Sequence, residues 1–260
     1  MHKIKIRKII INLKINNNNK MEISKSKSDY PPLIAFRNFH ILEKYRYLDL
    51  IPGRKDFTKF SDEDIISHLQ NSGFLIVEAR PKKNAPIRRL PNRFHKSCKE
   101  LITKTFIILI EKENNKGVMA TDTIVKILNS IPGIKLKQRE FNIDIIIVAE
   151  NDFSTFVMKK LNEYKSSGGT DFGYIDVCLF KHVDLLFDKF DYCMVALHEI
   201  VPEDLIKKIY EDVCSIPGNF PKIFEKDAIS KMIGARIGDV VRITNKHNTS
   251  GLKIEYREVI

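Results

Sequence analysis

The sequence is short of the features that define several large protein classes. Among its 260 residues there is no run of eighteen apolar side chains, so no segment is a candidate for crossing a bilayer. Cysteine is scarce and widely spaced, at Cys98, Cys178, Cys193 and Cys214, with no Cys-x-x-Cys pair. That spacing argues against a zinc site and predicts reduced, buried thiols in an intracellular protein. His95 lies near Cys98, but no second ligand pair accompanies them, so we expect no metal and no cofactor.

Complete catalytic motifs are missing as well. The triplet Asp171-Phe172-Gly173 occurs in protein kinases, but no His-Arg-Asp catalytic loop accompanies it here. Residues 166–169 are small and flexible, yet they lack the Gly-Lys-Ser/Thr step of a phosphate-binding loop. These fragments therefore indicate no nucleotide-dependent enzyme.

Positive charge, in contrast, is plentiful and concentrated. The formal net charge is +11; residues 1–29 contribute +6 and residues 80–99 contribute +8, so the remainder of the chain is slightly acidic. We call residues 80–99 the basic segment. Its eight cationic side chains, with no acid among them, are Arg80, Lys82, Lys83, Arg88, Arg89, Arg93, Lys96 and Lys99. Such a segment fits nucleic-acid phosphates, although a loop that merely keeps a protein soluble has the same composition.

The length and a hydrophobic fraction of 43% fit one large or two ordinary domains. Residues 1–30 are rich in Lys, Ile and Asn and lack the cleavage site of a secretory signal, so we expect a disordered or extension tail. Beyond it, helical and strand patterns alternate, which predicts an α/β domain over residues 31–197. The basic segment contains three prolines and is predicted to be a loop.

Within this domain the apolar pattern predicts individual elements. Ser61 begins a helix with a capping-box pattern, and Gly73 ends it. The uninterrupted apolar runs at residues 105–110 and 143–148 are typical of central strands covered on both faces. Helices are predicted at residues 33–47, 61–73, 121–128 and 152–164, and strands at residues 74–77, 105–110 and 143–148.

The last forty residues predict a helix followed by a β-hairpin, and thus a small α+β fold. Asp227 is a suitable N-cap, and Gly234 lies where a helix commonly ends in a left-handed residue. Residues 240–244 form a β-branched strand pattern, residues 245–251 are polar and turn-forming, and residues 252–259 form a second strand pattern.

This part of the chain resembles the assembly domain of the fifth subunit shared by eukaryotic RNA polymerases I, II and III, a family that also has archaeal members. Residues 198–202, His-Glu-Ile-Val-Pro, resemble the segment that opens that domain. Two departures are Ala228, where the family usually has proline, and residues 245–247, where it has Arg-Pro-Ser. The matching positions farther along are Pro221, Ile223, Asp227, Gly234, Gly238, Val240, Val241, Arg242, Ile243, Thr249, Gly251, Ile254, Tyr256, Arg257 and Val259.

The resemblance implies a non-catalytic structural subunit of a multisubunit DNA-directed RNA polymerase. Residues 31–197 would form a jaw domain with a restriction-endonuclease-like fold and no active site, which helps to hold downstream duplex DNA. The basic segment would contact DNA phosphates without reading sequence. Residues 198–260 would form the assembly domain, which docks on the largest polymerase subunit. The interface residues implied by the resemblance are His198, Pro202, Pro221, Asp227, Gly234, Gly238, Arg242, Thr249, Gly251, Tyr256 and Arg257.

The origin and location of the protein also follow as expectations from the resemblance. Archaeal members lack the jaw domain, so its presence points to a eukaryotic protein or to a homologue in a large DNA virus. A cellular protein of this family would act in the nucleus, and a viral one in the virion or in a cytoplasmic viral factory.

Two other functions stay open. A free-standing DNA-binding regulatory module would use the basic segment in the same way. A metal-dependent nuclease is the weaker alternative: such enzymes place an acid on one strand and a Glu-x-Lys on the next, around Mg²⁺. The one Glu-x-Lys here, residues 163–165, falls at a predicted helix end, and only Asp144 lies on a central strand.

Overall fold

In the residues that it describes, a computed structural model of the chain contains two β-sheets, one of five strands and one of four. The five-stranded sheet and its helices are called the N-terminal module below, and the four-stranded sheet with its helices the C-terminal module. The residues that the structure describes are 30–51, 61–83, 85, 102–111, 121–131, 134, 141–150, 153–166, 174–247 and 251–260.

The N-terminal module is a mixed sheet with helices in its connections. The elements are α1 (Pro31–Arg37), α2 (Phe39–Tyr45), β1 (Leu48–Ile51), α3 (Asp62–Ser72), β2 (Phe74–Pro81), β3 (Ile102–Ile110), α4 (Thr121–Ser130), β4 (Phe141–Ala149), α5 (Thr155–Ser166) and β5 (Ile175–Lys181), followed by 3-10 turns at His182–Leu185 and Lys189–Asp191. The order across the sheet is β1-β2-β3-β4-β5. The pairs β1–β2 and β2–β3 are antiparallel, whereas β3–β4 and β4–β5 are parallel.

The central strands are buried on both faces, as their uninterrupted apolar runs predict. Ile107 and Leu109 of β3 face a core shared with α1, α2 and α3. Ile108 and Ile110 of the same strand face a second core, shared with α4 and α5. A strand with helices on both sides has no solvent face, and this explains why polar residues do not alternate along it.

Local capping signals are confirmed in this module. The Ser61 hydroxyl accepts from the Asp64 amide at 3.2 Å, and the Asp64 carboxylate accepts from the Ser61 amide at 3.3 Å. Gly73 ends α3 with φ of 77°. The predicted helix over residues 33–47 is instead two helices, because the chain leaves helical geometry at Asn38, whose side chain donates to the carbonyls of residues 185 and 186.

The elements of the C-terminal module are β6 (Leu197–Ile200), α6 (Glu203–Asp212), β7 (Lys222–Ile223), α7 (Ala228–Ile233), β8 (Val240–His247) and β9 (Gly251–Val259). Its four strands form one sheet in the order β6-β8-β9-β7. Asp227 caps α7 by accepting from the amides of Ile229 at 2.9 Å and Ser230 at 3.2 Å. Gly234 ends this helix with φ of 72°, so both predicted caps are confirmed.

Three expectations from the sequence are wrong. Residues 245–247 are not turn but strand, because β8 continues to pair with β9 as far as His247 opposite Gly251. The basic segment is not loop from its first residue, because Arg80 and Pro81 end β2 and pair with β1. The cysteines are not uniformly buried: Cys193 and Cys214 are exposed.

In the part of the chain that the structure describes, no helix is both long and apolar enough to cross a membrane.

Candidate functional site

The two faces of the C-terminal sheet pack against different partners. Val241 and Ile243 point to a core shared with Ile233 of α7, and Tyr45 and Phe190 of the N-terminal module pack against it. On the opposite face, the rings of Tyr210, Phe220 and Tyr256 form a continuous stack, with centroids 4.7 Å and 5.7 Å apart. Together with Val240 and Ile206 this stack holds α6 on the outer face of the sheet. The sheet is thus fixed from both sides near its centre.

A buried arginine joins the two modules. Arg236, in the turn between α7 and β8, is only 6% exposed. Its Nη2 donates to both carboxylate oxygens of Asp144, at 2.7 Å and 2.9 Å, and to the Tyr174 hydroxyl at 3.0 Å. Its Nε donates to Asp176 at 2.9 Å. Asp144 and Asp176 lie opposite each other on β4 and β5, so one guanidinium satisfies acids from two neighbouring strands.

Electrostatics maintain the charge on this buried group. Burial alone would lower the pKa of Arg236, but the carboxylates around it, with Asp144 the strongest, hold that pKa well above its ordinary value. Burial also raises the pKa of Tyr174 to about 12, so its hydroxyl is protonated at neutral pH. A buried cation of this kind is tolerated only because its charge is paired and its donors are hydrogen-bonded.

The same contacts bear on the nuclease alternative. The two acids that could have served a metal ion, Asp144 and Asp176, both bind the guanidinium of Arg236 instead. The one Glu-x-Lys, at residues 163–165, is predicted from the sequence to lie at a helix end, and Glu163 is exposed on α5, where it pairs with Lys160. In the ranges that the structure describes, no cluster of three metal-binding side chains occurs. The geometry therefore gives the nuclease hypothesis no support.

Helix α7 forms a second connection between the modules. Lys231 Nζ donates to Asp184 at 3.2 Å and to the Leu179 carbonyl at 3.3 Å. Met232, next to it, is fully buried in the core that β3 and β4 share with α1 to α3. Arg46 of the N-terminal module donates to the carbonyl of Lys231. The two modules consequently pack against each other through shared core and polar contacts.

Several of the interface residues implied by the resemblance have structural roles in this chain. Asp227 and Gly234 cap α7, and Gly238, with φ of 95°, turns the chain and donates its amide to the Val259 carbonyl. The Pro221 carbonyl accepts from the Glu258 amide at 2.9 Å. Pro202 precedes the first residue of α6.

Other predicted interface residues lie around one cleft of about 550 Å³ between α2, β6 and α6. His198 and Arg242 line it, as does Pro202. Arg242 is half exposed and donates to Glu199 at 2.8 Å, a contact that raises its pKa. His198 is partly buried, which lowers its pKa, and its Nδ1 lies 2.8 Å from the Ala196 carbonyl oxygen.

The remaining predicted interface residues lie along β9. Tyr256 belongs to the aromatic stack, Arg257 lies 3.7 Å from Glu255, and Gly251 begins the strand with φ of 74°. Thr249 lies outside the described residues. The structure therefore brings His198, Pro202 and Arg242 together around the cleft, with Tyr256 beside Arg242 as its cross-strand partner on β9.

Most of the basic segment lies outside the described residues, including Arg88, Arg89, Arg93, Lys96 and Lys99. Of the part that is described, Arg80 is exposed at the end of β2, with its Nη2 at 4.0 Å from Glu78. Lys82 Nζ donates to the Glu43 carbonyl at 3.4 Å, and Lys83 is exposed. These three cations lie where β2 leaves the sheet.

The residues that join the modules, above all Arg236, were not predicted from the sequence. A signal was nevertheless present: Asp144 interrupts an apolar run predicted to be covered on both faces, and a carboxylate in such a place requires a partner. The position of that partner, ninety-two residues farther along the chain, carried no local pattern.

Residues 187–259 match the family model described as RNA polymerase Rpb5, C-terminal domain. The chain is also similar to archaeal proteins named DNA-directed RNA polymerase subunit Rpo5. The protein from Methanocaldococcus jannaschii is 41% identical over 70 residues, which cover 27% of this chain and 90% of that protein. The one from Methanosarcina acetivorans is 42% identical over 74 residues, 28% of this chain and 95% of its own length. A third, from Sulfurisphaera tokodaii, is 36% identical over 67 residues, 26% and 80% of the two chains.

Proposed function

The chain belongs to the Rpb5/Rpo5 family of DNA-directed RNA polymerase subunits, which are non-catalytic components of the enzyme, and from that premise we propose how its two modules divide the work. The C-terminal module docks on the largest polymerase subunit. The N-terminal module acts as a jaw that helps to hold downstream duplex DNA, and other polymerase subunits complete the assembly.

One observation carries the first half of this proposal. About a quarter of the chain aligns with 90% of an archaeal subunit, so that subunit consists of little beyond the equivalent of the C-terminal module. What an archaeal subunit needs for its place in the polymerase is therefore contained in this region. The match begins at residue 187, slightly before the boundary at residue 198 that the sequence suggested.

The residues before the match support an added function. They form a mixed sheet with a core on each face, one of which includes Met232 of the C-terminal module, and this arrangement is compatible with the restriction-endonuclease-like jaw that the resemblance implies. Archaeal relatives are matched over nearly their whole length without this sheet. We therefore place the protein in the eukaryotic or large-DNA-virus branch, with action in the nucleus or in viral compartments.

Charge supports the DNA-holding function. The basic segment carries +8, and its described start forms the last two residues of β2 and the residues directly after them. Backbone contacts by Lys and Arg release counterions from DNA, so each engaged charge should add about 0.9 to the slope of log affinity against log salt. The rest of the chain is slightly acidic, which leaves this segment and the residues before Tyr30 as the sources of positive potential.

The docking proposal is tested by affinity purification of the full chain with an N-terminal tag under mild conditions. The largest polymerase subunit should co-purify with it. A monomer that captures no polymerase subunit would contradict the proposal and would favour the free-standing DNA-binding module.

The DNA proposal is tested in the assembled polymerase. Arg88, Arg89 and Arg93 are replaced by Ala, and the stability of elongation complexes is measured over a series of salt concentrations. If all three engage phosphates, the slope of log affinity against log salt should fall by about 2.7. A control with the same loss of charge replaces Lys159, Lys207 and Lys208, which are exposed on α5 and α6. Equal salt stability of the arginine variant and the wild type would refute the DNA contact while leaving polymerase docking intact.

A further inference from the structure

Strand β9 leaves one of its edges open over most of its length. It pairs with β8 from Gly251 to Glu258, whereas on its other side β7 covers only Glu258 and Val259. In the part of the chain that the structure describes, no strand pairs with the β7 side of residues 251–257. This stretch is called the open edge below.

The direction of the backbone groups follows from two hydrogen bonds. The Val201 amide donates to the Val240 carbonyl at 2.8 Å, so the backbone of Val240 is directed toward β6 and away from β9. Its opposite residue, Glu258, donates its amide to the Pro221 carbonyl, away from β8. Because the direction alternates along an antiparallel pair, Leu252, Ile254 and Tyr256 also direct their N–H and C=O groups outward.

The side chains beside these groups are apolar and uncovered. Leu252 is 65% exposed and Ile254 is 52% exposed, and both lie on the α6 side of the sheet with Tyr256. Ile254 continues a row through Thr244 on β8 to Leu197 on β6, which is exposed as well. Natural proteins blunt exposed edges with proline, bulges or inward-pointing charges, because unpaired donors and acceptors invite another strand. The open edge has none of these on the face that carries Leu252 and Ile254.

The charged side chains near the open edge indicate which kind of segment could bind there. Lys246 lies opposite Leu252 on the same face, is exposed, and has no ionic partner in the ranges that the structure describes. Arg242, farther along that face, is satisfied by Glu199, and Glu258 is paired with Lys222. On the α6 face, a strand that lies along the open edge therefore meets hydrophobic side chains and, near Leu252, one unpaired cation. On the other face it meets Lys253, Glu255 and Arg257, which pair with one another.

We propose that the open edge of β9 binds an extended polypeptide segment of the polymerase, which adds a strand to the sheet. This inference rests on the proposed function, since the polymerase supplies the segment. The segment has apolar side chains in alternation, which contact Leu252 and Ile254, and a carboxylate placed beside Lys246. The outward N–H and C=O groups of three residues give the backbone pairing, and the exposed side chains give the specificity typical of strand addition.

Hydrogen exchange tests the backbone pairing directly. Amides of Leu252, Ile254 and Tyr256 are compared at residue resolution in the free full chain and in the purified polymerase. They should exchange rapidly in the free chain and at a rate about 100-fold lower in the polymerase. Lys253 and Glu255, whose amides are directed toward β8, serve as internal controls and should be slow in both states.

A proline variant tests the contribution to assembly. Ile254→Pro removes an outward N–H without removing a hydrogen bond to β8, so it should weaken polymerase binding by about three- to ten-fold, the worth of one backbone hydrogen bond. Ile254→Thr keeps the amide and should keep the protection of the edge amides. Lys246→Glu should weaken binding at low salt more than at high salt.

The outcomes separate this inference from the function on which it rests. A wild-type chain that enters no polymerase refutes both. A chain that enters the polymerase while the three edge amides stay rapidly exchanging overturns the open-edge inference alone, whatever the folding of the proline variant. Light scattering tests whether the open edge pairs with a second copy of the chain instead. A dimer of the free chain in which these amides are protected, together with no protection in the polymerase, would show that it does.

Discussion

Removing the guanidinium of Arg236 should loosen the connection between the modules. In an Arg236→Met variant the side chain keeps much of its length, but Asp144 and Asp176 lose their common cation. Breaking a buried ion pair by removing one partner typically costs about 3–5 kcal/mol, because the remaining charge stays uncompensated. The side chains of Asp144 and Asp176 retain 22% and 13% exposure, so water hydrates them in part. We therefore expect a loss at the lower end, about 3 kcal/mol.

Urea unfolding of the full chain, followed by circular dichroism, measures this loss. With a slope of about 3 kcal/mol per molar urea, the midpoint should fall by about 1 M. Arg236→Lys is the matched variant: it keeps the charge but lacks the planar fork that reaches both acids, so its midpoint should lie between those of wild type and Arg236→Met.

A combined variant tests the electrostatic cause. If uncompensated charge is the main penalty, Arg236→Met together with Asp144→Asn and Asp176→Asn should recover part of the lost stability. A single-variant loss below about 1 kcal/mol, in the range of exposed ion pairs, would refute the argument that this cluster joins the modules. No recovery in the combined variant would refute the electrostatic explanation and leave packing as the cause.

Three further outcomes are expected from contacts within and between the modules. Burial opposes ionisation of Asp184, but the Lys181 amide and the ammonium of Lys231 outweigh that effect and lower the pKa of Asp184. The difference in unfolding free energy between wild type and Asp184→Asn, measured by urea titration, should therefore be full at pH 7 and shrink below about pH 4. A difference that does not vary with pH would contradict this. Gly234→Ala places a Cβ in left-handed geometry and should lower the free energy of unfolding, measured by thermal unfolding, by about 1–2 kcal/mol. Gly234→Asn should lower it less, and equal losses for the two variants would argue against backbone strain. Asp227→Ala should lower the free energy of unfolding by about 1 kcal/mol in the same assay, whereas Asp227→Ser should retain most of the stability that the cap provides. An unchanged melting temperature for the Ala variant would show that the cap contributes nothing.

Features decided by neighbouring residues could be predicted from the sequence. Asp227 and Gly234 cap a helix as expected because capping depends on groups within one turn. The central strands were predictable because burial on both faces leaves an uninterrupted apolar run. The family resemblance of the C-terminal region, now supported by archaeal relatives, rests on such local residues too.

Features decided by distant pairing were predicted less well. The polar residues 245–247 have turn-forming composition, but pairing with β9 keeps them in a strand. Asp144 stands out in the sequence as an isolated acid, yet its partner could not be predicted because Arg236 belongs to the other module. The open edge of β9 was equally hidden, since strand order is a property of the whole sheet and Leu252 and Ile254 look like ordinary core residues in the sequence.

The burial of Met232 has a consequence for how the protein is made. A ribosome releases the N-terminal module first, but the core beneath α1 to α3 includes this side chain from α7. That core therefore stays incomplete until almost the whole chain has been synthesised, and a nascent N-terminal module exposes an apolar hollow in the meantime. An N-terminal module produced without α7 would keep this hollow, so a fragment that ends at the boundary between the sheets lacks part of its own core.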